Sequence, residues 1–296
     1  MDDRIRQLDQ VAILGVGLLG ASVGLGLKAA GYTGRIVGLA RSSETLAAAK
    51  QRGAIDHGTT DIGEALQGSQ LAIIAVPLGQ FDRMFQQIAE HEHDRLIITD
   101  VGSTKLGVLA SARQHLKQPG RFVGAHPMAG SEQQGPEGAQ ADLCQGKPCI
   151  ITPGNDTDEE ALATVEALWQ SLGMTLVRMS AYEHDVQTAT ISHLPHAMAV
   201  LLVLVAAERG GWDIASTGFR DTTRLASSNP PMRADILMAN REQVIEALNS
   251  LGHRLDRFID VLDRGDRTGL IAMLEHARQT RDDWLSYREG ADSTTS

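Results

Sequence analysis

Apolar residues in the first 180 positions come in short unbroken runs rather than in alternation with polar ones. The runs 11–14, 35–39, 71–76, 96–100, 122–125, 148–152 and 175–179 each have the length of a strand, and lack of alternation predicts burial on both faces. Between them the spacing predicts helices at 18–30, 43–52, 63–66, 80–92 and 158–172, with a short acidic turn near 56. Strands alternating with helices, each closed by a polar or glycine-rich turn, predict an α/β fold with a doubly wound parallel sheet.

Around Ser180 the pattern changes, and from 181 to about 290 it is almost entirely helical. Breaks fall at Gly210-Gly211, Thr217-Gly218, Asn229-Pro230-Pro231 and Gly265. The expected organisation is therefore a sheet domain at 1–179 and an all-α domain at 180–296. One helix is expected over 181–209, kinked at Pro195, with 197–207 as a buried apolar core. That run is about half the length that crosses a bilayer, so no membrane partner is expected. Later helices are expected at 232–240, 241–264 and 268–288. Val244, Leu248, Leu251, Leu255, Phe258 and Leu262 form a stripe at helical spacing, either core or the seam of a homodimer built through these C-terminal helices. The tail 290–296 reads as disordered.

The first strand runs directly into Gly15, Gly17 and Gly20, the G-x-G-x-x-G spacing at a strand-to-helix turn. Glycine there permits a tight turn, close approach of a pyrophosphate and close helix packing, with the phosphates on the free N–H groups of Leu18, Leu19 and Gly20. This makes the sheet domain a Rossmann-type dinucleotide-binding domain. About 20 residues on, where an NAD-binding unit carries Asp or Glu, this chain has Ala40 followed by Arg41 and Ser42. A guanidinium and a hydroxyl suit a 2′-phosphate, so NADP is expected in preference to NAD. In a doubly wound sheet the ligand lies beyond the C-terminal strand ends, which adds the loop at Val76 and Pro77 to the cofactor residues.

Two further strand ends carry chemistry. Residues 100–105 (DVGSTK) follow one, and His126 opens HPMAG at the next. A histidine fixed before a proline at the crevice is well placed as a general base, with Ser103 as its expected hydrogen-bond partner. His193 and His196 lie three apart; they read as hydrogen-bonding partners for a polar substrate or as an interdomain polar layer, and no third ligand supports a metal. Arg220 and Arg224 are four apart, either a site for a dicarboxylate or a helix face paired with Asp221.

The 27 basic and 37 acidic residues give a net charge of −10, which argues against nucleic acid as partner. Two cysteines and a polar N-terminus without an apolar segment lead us to expect a cytoplasmic, reduced protein.

Taken in order, the glycine loop, DVGSTK, HPMAG, SHLPH at 192–196 and GFRDTTR at 218–224 closely resemble the prephenate/arogenate dehydrogenase family of tyrosine biosynthesis, over about 11–284. The resemblance implies oxidative decarboxylation of prephenate to 4-hydroxyphenylpyruvate, or of arogenate to tyrosine, with hydride transfer to NADP⁺ or NAD⁺. It implies that His126 accepts the hydroxyl proton, Ser103 orients it, His196 binds substrate and Arg224 holds the ring carboxylate, with Arg220 nearby. Many relatives carry Trp in the stretch where this chain has Pro231-Met232-Arg233-Ala234-Asp235, so Arg233 is expected to offer the substrate an extra cation, and Glu132 is expected near the mouth of the site. No extension of chorismate-mutase or ACT type is visible, so tyrosine feedback, if present, is expected at the active site. Other readings are a β-hydroxyacid-type dehydrogenase and a non-catalytic NADP sensor.

Overall fold

Strand β1 (Gln10–Leu14) lies at the centre of a sheet because its residues face two cores at once. Val11 and Ile13 join one apolar cluster with Ile36, Leu71, Ile73 and Trp169. Ala12 and Leu14 join another with Val37, Ala72, Ile98 and Phe85. A strand covered by helices on both sides has no polar face, which is why this run does not alternate.

The computed structural model describes residues 1–131 and 133–293. Seven more strands complete the sheet: β2 (Arg35–Leu39), β3 (His57–Thr59), β4 (Leu71–Ile74), β5 (Ile97–Asp100), β6 (Phe122–Pro127), β7 (Pro148–Thr152) and β8 (Thr175–Arg178). Their order is β3-β2-β1-β4-β5-β6-β7-β8. Strands β1 to β6 are parallel, as expected; β7 runs antiparallel to β6, with His126 opposite Ile150. Strand β3 was not anticipated, since its three residues His57-Gly58-Thr59 hold no apolar run. The helix Leu106–His115 between β5 and β6 was likewise not anticipated. The strand order reverses between β1 and β4, and the crevice at their C-terminal ends is where ligands bind in such sheets.

The chain forms two units, 1–244 and 245–296. In the first, the expected helix over 181–209 is two α-helices, Ala181–Thr188 and Leu194–Arg209, joined by a π-helical turn Ala189–His193. Pro195 has no N–H for the carbonyl four residues back, and the wider turn just ahead of it absorbs that loss. The run 197–207 is not a buried core in the single chain: Val200, Leu201, Leu204 and Val205 are 44, 46, 54 and 55 % exposed, and of the helix only Ala199 is buried. The stretch Ala181–Arg209 is long and apolar enough to cross a membrane, at mean hydropathy 1.8. Yet its His184, Asp185, Thr188 and His193 are buried and hydrogen-bonded to protein, as in a helix packed on a sheet. The second unit comprises 245–263 of helix Arg241–Asp263 and the helix Arg267–Ser293. Helical backbone thus continues to Ser293, past the Gly290 expected to begin a disordered tail; 294–296 lie outside the described residues. Leu255, Ile259, Leu262, Ile271 and Leu274 are exposed on this unit.

Candidate active site

The glycine loop separates what the protein demands from what a ligand demands. Gly15 adopts φ 108°, and a Cβ there would fall 2.5 Å from the Ala75 carbonyl oxygen. At Gly20 a Cβ would fall 2.0 Å from the Gly15 oxygen, so the helix Leu18–Ala29 is held against its own loop. Gly17 has ordinary φ, and a Cβ there would meet nothing within 4 Å. No side chain caps the helix that Gly17 begins, which leaves the N–H groups of its first turn without a side-chain partner. That geometry fits a pyrophosphate. Val76 lies against Gly15, and Pro77 follows it at the neighbouring strand end. Arg41 is exposed beyond β2, with Ala40 in place of a carboxylate. The Ser42 hydroxyl already has a structural task, capping helix Ser43–Gln51 by accepting from the Thr45 N–H at 3.2 Å.

In the 100–105 motif, Asp100 ties three elements together. Its carboxylate accepts from Gly102 N–H at 2.8 Å, from Ala125 N–H at 2.9 Å and from the Lys105 ammonium. Asp100 thereby fixes the residue before His126. Both charged side chains are fully buried.

His126 sits near the end of β6, partly exposed. Its Nδ1 lies 2.8 Å from Nε2 of His184, and Nδ1 of His184 lies 2.7 Å from Oδ1 of Asp185. Asp185 also accepts the N–H groups of Lys105 at 2.8 Å and Leu106 at 2.9 Å, which open the helix Leu106–His115. Burial pushes the His126 pKa well below its usual value, with His184, Lys105 and His193 adding to the shift. Ser103, expected to bond this imidazole, makes no hydrogen bond to it among the described residues; the Nδ1 partner is His184. Local pattern did not signal His184 and Asp185, because only the packing of helix Ala181–Thr188 beside β6 brings them there.

Asn240 donates to the Asp185 carbonyl at 2.8 Å and lies 3.1 Å from Nδ1 of His193. Burial lowers the His193 pKa to about 4, Asp185 opposing and His184, Arg233 and His196 reinforcing. His196 holds the Ser192 carbonyl through Nδ1 at 3.0 Å, while its Nε2 is buried without a protein partner. Its pKa is lowered first by burial, with the Ser192 carbonyl opposing and the charges of Arg233 and Arg224 adding to the shift. The Arg233 Nε is also buried without a partner. Unpartnered nitrogens of this kind, with two guanidinium groups, suit an anion with more than one carboxylate. Arg220 does not join them: it pairs with Asp221 at 3.2 Å, and the two side chains are 75 and 70 % exposed. Glu132 lies outside the described residues. Among the described residues no three His, Cys, Asp or Glu side chains are grouped to hold a metal ion.

A doubly wound sheet with an open glycine loop at one strand end and a histidine at the end of another strand defines an NAD(P)-dependent dehydrogenase. The family model for the nucleotide-binding domain of prephenate dehydrogenase matches residues 23–178, and that for its dimerization domain matches 180–276. The chain is 34% identical over 290 residues to the prephenate dehydrogenase of Bacillus subtilis, covering 96% of this chain and 78% of that one. The structure of prephenate dehydrogenase from Aquifex aeolicus, in complex with hydroxyphenyl propionate and NAD⁺, superposes with TM-score 0.88 at 30% identity, covering 93% of this chain and 98% of that one. Synechocystis arogenate dehydrogenase superposes with TM-score 0.82 at 28% identity, covering 93% and 99%. This chain belongs to the prephenate dehydrogenase family.

Proposed function

We propose that the protein oxidatively decarboxylates prephenate, arogenate or both, with NADP⁺ preferred over NAD⁺, in tyrosine biosynthesis. The observation that carries this reading is the position of His126: at a strand end of the cofactor sheet, its Nδ1 held by His184. A base there takes the proton from the ring hydroxyl as carbon dioxide leaves and the ring becomes aromatic. Its low pKa keeps it neutral, and so able to accept a proton, at physiological pH. When bound, the oxidised nicotinamide supplies the hydride acceptor for the ring carbon that bears the hydroxyl. Gly15, Gly17, Leu18, Leu19, Gly20, Val76 and Pro77 would hold the dinucleotide, with Arg41 and Ser42 near the 2′-phosphate. Arg224, Arg233 and His196 bind the two carboxylates and orient the ring. Ser103, on the loop that follows β5, would join the cofactor residues. Both an arogenate and a prephenate dehydrogenase among the relatives support leaving the side chain open. The dimerization-domain match and the exposed apolar face at 200–205 support a homodimer.

The test is initial-rate reduction of NADP⁺ and of NAD⁺ with prephenate and, separately, with arogenate, followed at the nicotinamide absorbance band. Turnover with either acid, faster with NADP⁺, is expected. Cofactor binding without turnover of either acid would overturn the assignment.

A further inference from the structure

The polarity of the His126–His184–Asp185 chain is decided at its far end. Asp185 accepts two backbone N–H groups, from Lys105 and Leu106, one on each oxygen. A carboxylate so placed acts as an acceptor only. His184 must therefore present a hydrogen from Nδ1 to Oδ1 of Asp185, across 2.7 Å. In the neutral ring Nε2 is then a lone pair, and the group facing it at 2.8 Å is Nδ1 of His126. That nitrogen must be the donor. The one remaining nitrogen of His126, Nε2, carries a lone pair.

We propose that His184, oriented by Asp185, is a positioning residue that keeps the His126 proton on Nδ1 and so leaves Nε2 as the base. This rests on His126 being the base of the proposed reaction. An isolated His126 would be free to carry its proton on Nε2, where it cannot accept another. The surroundings make the orientation durable: His184 and Asp185 are 0 and 1 % exposed, so water does not compete for either bond. The rings meet edge to face at 66°, with centroids 5.1 Å apart. When Nε2 takes the substrate proton, the bond from Nδ1 to His184 persists, and the Asp185 carboxylate beyond His184 stabilises the imidazolium that forms. No oxidant or further reactant enters, since the step is one proton moving from a hydroxyl to Nε2.

The test uses ¹⁵N-histidine-labelled full-length protein, whose ring shifts report which nitrogen of His126 is protonated, independently of turnover. His126→Gln assigns the signal. The wild type is expected to show Nδ1–H; a wild type with Nε2–H overturns the proposal, whichever acid the enzyme uses. His184→Phe is expected to release the tautomer and lower kcat by about 10²–10⁴-fold, with KM values changed less than about threefold. His184→Gln, whose carbonyl accepts from His126 while its amide donates to Asp185, is expected to restore most of kcat. A folded His184→Phe with unchanged tautomer and kcat overturns the proposal. If His184→Phe does not fold, the wild-type tautomer and the His184→Gln rates still decide it. Absence of turnover in the wild type, with Nδ1–H seen, would instead count against the proposed function.

Discussion

Lys105 and Asp100 form an ion pair from which water is excluded, both side chains being 0 % exposed. The two ends of one six-residue loop are thus locked together beneath the residue that precedes His126. Removing one partner of a buried pair leaves the other charge uncompensated, which costs more than the pair itself contributes.

Lys105→Met is expected to destabilise the fold by about 3–5 kcal/mol. Asp100→Asn combined with Lys105→Met is expected to cost clearly less than the two single changes added together. Urea denaturation of the three variants checks this, and strict additivity would contradict it.

Gly17 and Gly20 are expected to fail in different ways. Gly20→Ala drives a methyl toward the Gly15 carbonyl and is expected to lose at least about 1–3 kcal/mol of stability. Gly17→Ala meets no protein atom and is expected to melt like the wild type, yet to bind NADP⁺ about tenfold or more weakly. Thermal melts with cofactor titrations separate the two effects.

At Ala40 and Arg41 the expected readout is cofactor choice. Ala40→Asp places a carboxylate at the end of β2 and is expected to lower kcat/KM for NADP⁺ about tenfold or more while sparing NAD⁺. Arg41→Ala is expected to reduce NADP⁺ selectively. Equal loss for both cofactors in either variant would refute the role given to this corner.

Arg224 and Arg220 offer a matched pair. Arg224→Ala is expected to raise KM for the acid substrate about tenfold or more with little change in KM for NADP⁺. Arg220→Ala, which breaks only an exposed pair with Asp221, is expected to stay within about twofold. Steady-state kinetics on the two variants decide the matter.

Stability is expected to fall in mild acid. His193 is held to about 4 by burial, whereas an unfolded histidine titrates near 6.5. Between these values the unfolded chain binds the extra proton, so this contribution is complete above about pH 6.5 and lost as pH falls toward 4. For His193 alone the span is on the order of 3 kcal/mol. His126 and His196, also lowered, act with the same sign. Denaturation at pH 7 and pH 5 measures it, and His193→Gln is expected to flatten the difference.

Most strands were legible because burial on both faces left an unbroken apolar run, and the glycine loop because turn geometry is local; the run 175–179 gave the strand β8, but β8 is largely exposed rather than buried. β3 was not legible, since three residues ending an edge carry no such run. Arg224 and His196 were legible as candidates through motif order, whereas Arg220, at helical spacing from Arg224, turned out to face solvent. The run 197–207 shows the limit from the other side: apolar composition implies something covers it, and within the single chain little does.

The chain's own order of residues determined the parallel sheet, the dinucleotide loop and the placing of a histidine at a strand end, because each follows from periodicity or from spacing within a few positions. Only the tertiary structure decided what that histidine touches. His126 and His184 are 58 residues apart, and Asp185 is 80 from the Lys105 N–H that it accepts. Bonds across such separations depend on how a helix packs beside a strand, and hydrophobic pattern sets which face is buried without saying which polar groups meet there.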